Sequence, residues 1–143
     1  MKKALRHLGK AMFAIALAGS AYIALLSGVQ SVAFSRSPKI ENQSQLELKL
    51  SEEREKLKDK IGKNIVITAR LITDKDSSPT AYARKIKEGE YEIVLSNLGA
   101  SEHSLKHELY HIADGHIENK GHLAYFFHNE PQAEIYALTG LKP

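Results

Sequence analysis

His107, Glu108 and His111 are the residues of this chain best arranged to do chemistry, in the run His107-Glu108-Leu109-Tyr110-His111. Side chains four apart on a helix lie one above the other on the same face, so the two imidazoles can address one metal ion. Two neutral imidazoles and a third protein ligand leave zinc an open position, the catalytic rather than the structural arrangement. The metal's charge acidifies a water beside it, and the Glu108 carboxylate, at the margin of that face, can take the proton. The competing reading is two solvated histidines on an exposed helix face.

A third ligand is needed, and its position separates families. The metzincin pattern wants glycine three residues after the second histidine and another histidine three further on. Those places hold Asp114 and Ile117, with Gly115 and His116 each one residue away from fitting. The run Asn129-Glu130-Pro131-Gln132-Ala133-Glu134-Ile135-Tyr136-Ala137 fits better. It resembles the second motif of the gluzincins: N-E-x-x-S-D-I-F-G in thermolysin-like enzymes, E-x-x-A-D-x-F-A in the compact ImmA/IrrE-like peptidases. The resemblance implies that Glu130 is the third zinc ligand and that Glu134 orients a ligand histidine. It implies a minimal zinc metallopeptidase in which Glu108 is the general base. It covers only the last third of the chain and departs from the pattern twice. Pro131 follows the ligand directly, which places the helix start near Asn129 or Glu130. The second acid is Glu where the family has Asp.

The remaining candidates are less specific. His103 lies one turn before His107, where it is a peripheral ligand or, as the sequence favours, faces water. His116, His122, His128, Tyr110 and Tyr125 are candidates to stabilise an oxyanion, and each is also an ordinary structural residue. Leu123, Phe126 and Phe127 are expected to pack against the zinc helix.

The elements that must position these residues are readable in outline. Ser101 is a good N-cap, Leu105, Leu109 and Ile112 form an apolar stripe, and Gly115 is a natural stop, predicting a helix over Glu102–Asp114. Leu46, Leu50, Leu57 and Ile61 predict an amphipathic helix from Gln45 to Ile61, ended by Gly62. Ile65-Val66-Ile67 and Leu71-Ile72 read as a strand, and residues 80–87 and 90–95 as a hairpin turning at Glu88-Gly89. The expected fold class is α+β: an N-terminal apolar helix, then a helix, a short antiparallel sheet and two metal-binding helices. In the family it resembles, the strand before the zinc helix, here Tyr91–Leu95, forms the edge that pairs with an extended peptide.

The N-terminus is of another kind. Lys2, Lys3, Arg6 and Lys10 precede Ala11–Val29, nineteen residues without a charge. That approaches the length of a membrane-spanning helix, so residues 1–35 read as a signal-anchor, with a cleaved signal peptide as the alternative and Ser31-Val32-Ala33 as its cut. Residues 36–44 read as a polar linker and 45–143 as the metallopeptidase-like domain. The basic run predicts an N-terminus in the cytoplasm and a domain outside it, anchored to the membrane, or secreted or periplasmic if the signal is removed. Removing those four charges from the net +3 leaves −1 for everything after Lys10, so no nucleic-acid partner is expected. Zero cysteines exclude disulfides and thiolate metal sites. The expected function is zinc-dependent hydrolysis of a peptide or protein substrate. The alternatives are a catalytically silent zinc-binding regulatory or interaction module at the membrane, or an anchored interaction protein without metal.

Overall fold

The computed structural model describes residues 21–22, 24–25, 28, 31–33, 35–74, 81–96, 99–118 and 129–141. The chain divides into two units, Met1–Ser35 and Arg36–Pro143. In the first, the described residues up to Ser35 are helical, with Leu25 and Val32 exposed. Among the described residues no helix is long and apolar enough to cross a membrane. Most of Ala11–Val29 lies outside them.

The second unit opens with helix α1, Gln43–Lys56. Asn42 caps it, its side chain accepting from the Gln45 N–H. Leu46, Leu50, Leu57 and Ile61 are all buried, as their spacing predicts. The helix nevertheless ends five residues before Ile61. The Leu57 N–H is shared between the carbonyls of Glu53 and Arg54, and a tighter turn then carries the chain to Ile61.

Three strands follow: β1 (Val66–Ile72), β2 (Ala81–Lys87) and β3 (Glu90–Ser96). The β2–β3 hairpin turns at Gly89, whose φ of 72° belongs to the left-handed region and whose Cβ, if present, would sit 3.3 Å from the Asn64 carbonyl oxygen. The sheet order is β1-β3-β2, with β3 antiparallel to β2 but parallel to β1. This corrects two expectations. The sheet is mixed rather than antiparallel, and Tyr91–Leu95 is central rather than an edge. Burial supplies the reason for the second: Ile93, Val94, Leu95 and Ser96 are consecutive and all buried, so β3 is covered on both faces and belongs in the middle.

The two sheet edges differ. Along β1 the Gln43 side-chain amide donates to the Ala69 carbonyl at 2.8 Å and accepts from the Leu71 N–H at 3.0 Å. One side chain thus occupies two of the hydrogen-bonding groups that an added strand would use. No described strand pairs with the far side of β2.

Helix α2 (Glu102–Ala113) lies on the sheet, a 3₁₀ turn covers His116–Glu118, and α3 (Glu130–Thr139) packs against α2. The core gathers Leu46, Leu50 and Leu57, the β3 residues Ile93 and Leu95, Leu105, Leu109 and Ile112 of α2, and Ala133 and Tyr136 of α3. Buried Glu53 of α1 accepts from the Tyr136 hydroxyl at 3.1 Å and holds Lys56 at 2.7 Å, tying the first helix to the last. Residues 37–40, expected as linker, are also fastened. The Ile40 N–H donates to the Ala100 carbonyl, the Glu102 N–H to that of Pro38, and the His103 N–H to Ser37 Oγ. The segment therefore braces the start of α2.

Candidate metal centre

The predicted cap and stripe both form in α2. Ser101 accepts from the Ser104 N–H, Leu105, Leu109 and Ile112 are buried, and Asp114 ends the helix. With that face committed to the core, the four-residue repeat turns His103, His107 and His111 toward α3. Helix α3 starts at Glu130 with Pro131 in its first turn, where proline is tolerated, and ends at Gly140. Glu130 and Glu134, one turn apart, face the histidines.

His107 Nε2 lies 3.1 Å from His111 Nε2 and 3.4 Å from Glu130 Oε2, and His111 Nε2 lies 3.2 Å from Glu130 Oε1. A tetrahedral ion about 2.0–2.1 Å from nitrogen or oxygen ligands needs those ligands roughly 3.3 Å apart. These separations are of that order, with Glu130 Oε2 nearest His107 and Oε1 nearest His111, so His107, His111 and Glu130 could hold a metal ion, and the donors suit zinc among other imidazole-binding metals.

A second triad could also hold one: His103, His107 and Glu134. Glu134 Oε2 is 3.2 Å from His103 Nε2 and 3.4 Å from His107 Nδ1. The triads share His107 through opposite nitrogens, and a neutral imidazole has one lone pair to give. Occupying the first leaves the His107 Nδ1–H to donate to Glu134, the carboxylate–histidine pairing that fixes ligand orientation. His103 is itself buried and does not face water, a correction to the expectation. Its position in the repeat was a visible signal, but its acidic partner comes from another helix.

Charge is concentrated here. Burial alone would lower the His107 pKa, but hydrogen bonds to Glu130 and Glu134 outweigh it and raise it to about 10. Burial alone would raise that of Glu134, but His103 and His107 hold it down to about 2. Glu108 is half-buried, and burial raises its pKa against the pull of His107, His111 and the Ala83 backbone N–H that donates to it. That N–H belongs to β2, so the edge of the sheet with which no described strand pairs runs beside Glu108.

His116 is buried as well. Gly115, at φ 69°, turns the chain back so that His116 Nδ1 reaches 3.0 Å from His111 Nδ1. His116 Nε2 is 3.0 Å from Asp114 Oδ2, and Lys60 binds Asp114 Oδ1 at 2.7 Å and the Tyr110 hydroxyl at 2.9 Å. Glu118 accepts from Lys85 and Tyr91, fastening the same turn to β2 and β3. The candidates His122, Leu123, Tyr125, Phe126, Phe127 and His128 lie outside the described residues.

Compared with known protein families, curated proteins and solved structures, the chain has no match.

Proposed function

We propose that this chain is a zinc-dependent peptidase of the minimal gluzincin kind, with His107, His111 and Glu130 as the metal ligands. The reading is carried by one observation, the 3.1–3.4 Å separations that gather the Nε2 atoms of His107 and His111 and the carboxylate of Glu130 from two helices. Zinc held there would polarise a peptide carbonyl and acidify a water molecule. Glu108 would accept a proton from a water beside such an ion and pass it to the departing amine. Its burial favours the reading, because a raised pKa brings a carboxylate nearer the pH at which it must both accept and release a proton. Glu134 keeps His107 in the tautomer that presents Nε2. An extended peptide adds to β2, the edge beside Glu108, through backbone hydrogen bonds.

The full chain, purified in detergent, should carry close to one zinc and cleave members of a peptide library. Glu108→Gln should keep the zinc and the melting temperature while lowering hydrolysis by about 10²–10⁴-fold. Equal cleavage by the Gln variant removes Glu108 as the base. Bound zinc with no cleavage makes the chain a metal-binding module.

The proposal extends to location: the basic run and the charge-free segment Ala11–Val29 hold the domain at the outer face of a membrane. A reporter fused after Pro143 should be reached only from outside. A mature N-terminus near Phe34 would replace the anchor with a removed signal.

A further inference from the structure

The geometry points to His116 as the positioning residue of the ligand His111, held in its own tautomer by Asp114. This rests on the proposed metal centre and concerns a residue that the resemblance leaves without a role.

Protons decide the matter. For His111 to offer Nε2 to a metal, that nitrogen must carry a lone pair, and the neutral ring then bears its proton on Nδ1. The acceptor 3.0 Å away is His116 Nδ1. It can accept only if His116 carries its proton on Nε2, and Nε2 lies 3.0 Å from Asp114 Oδ2. Asp114 is kept an acceptor: burial would raise its pKa, but the hydrogen bond and charge of Lys60 hold it below the usual carboxylate range. Along the links from Lys60 through Asp114 and His116 to His111, one proton assignment satisfies the two hydrogen bonds of His116 and keeps the proton off the metal-facing Nε2 of His111. With the Nδ1–Nδ1 hydrogen bond reversed, the neutral His111 carries its proton on Nε2 and cannot ligate.

Packing restricts His116 to this pose. The Tyr110 ring meets it edge-on at 5.9 Å between centroids, and the His111 ring at 5.2 Å. His116 approaches only the outward nitrogen of His111, so it does not compete for the ligand role. The two ligand imidazoles are therefore backed differently: His107 by the carboxylate of Glu134, His111 by a neutral imidazole that relays a carboxylate.

The test is metal binding by the full chain in detergent, using zinc with a competing chelator and cobalt(II) as a visible-absorption probe. His116→Ala should weaken zinc about 10–100-fold, as loss of an outer hydrogen-bond partner does, and should shift the cobalt spectrum. His116→Asn places an amide oxygen where Nδ1 stood and should recover most of the affinity. His116→Gln places it toward Asp114 and should not. Asp114→Asn should fall between. If wild type binds zinc but His116→Ala matches it in affinity and spectrum, the positioning role is overturned while the centre stands. The role is equally overturned if the Asn and Gln variants lose the same melting temperature with an unchanged cobalt spectrum, since that marks plain packing. Zinc loss equal to that of Glu130→Gln and not recovered by Asn would make His116 itself a ligand. A wild-type chain that binds neither metal overturns the centre and this role together.

Discussion

Glu130 and Glu134 are the same residue type one helical turn apart, and their surroundings give them different tasks. Glu130 addresses the Nε2 atoms of His107 and His111, whereas Glu134 addresses His107 Nδ1 and His103 Nε2. Zinc retention by the full chain should therefore fall far more with Glu130→Gln than with Glu134→Gln, whose effect should stay near the 10–100-fold of a supporting contact. The reverse ranking would move the metal to His103, His107 and Glu134. The four-residue spacing of His107 and His111 named that pair, and the resemblance of the Glu130 run to a known motif named the third member. Neither was enough for His103 and His116. The partner of His103 comes from α3, and His116 reaches His111 only because Gly115 reverses the chain.

At the scale of elements, local chemistry announced the β2–β3 hairpin and its glycine, but not the partner of β1. Strand direction is not encoded in a strand's own residues. Burial speaks to order instead: four consecutive buried residues place β3 between the other two strands. The end of α1 was likewise hidden, since Leu57 and Ile61 keep the helical spacing although the last turn is tighter. Gly89 links this geometry to the site, because its turn and the register shift between Lys85 and Lys87 together place the Ala83 N–H beside Glu108. Gly89→Ala must adopt a left-handed backbone and crowd the Asn64 carbonyl, at a cost of about 1–2 kcal/mol. The melting temperature of the full chain should drop by roughly 3–5 °C per kcal/mol. An unchanged melt would mean that the turn relaxes without strain.

Over the whole molecule, the charged cluster makes stability depend on pH, and in opposite senses with and without metal. Without metal, His107 titrates at about 10 instead of 6.5, so its contribution is complete below pH 6.5 and is lost as pH rises through about 10. Glu134 titrates at about 2 instead of 4.5, so its contribution is present above pH 4.5 and is lost as pH falls toward about 2. The chelated chain should therefore be most resistant to urea between pH 4.5 and 6.5 and weaken toward pH 9. Zinc takes the lone pair that the proton held, so the zinc-loaded chain should gain rather than lose resistance over the same alkaline range. Denaturation midpoints from pH 5 to 9, with zinc and with chelator, compare the two. Parallel curves would mean that His107 is not where the metal competes with the proton. The Gln43 amide on β1 has a consequence of a social kind. With the Ala69 carbonyl and the Leu71 N–H of that edge already held by the chain's own side chain, another extended segment, from a stranger or from a twin copy, finds β2 the less obstructed edge among the described strands. Self-association by strand pairing would then bury the ground beside Glu108, so crowding and catalysis would be rivals for one margin of the sheet.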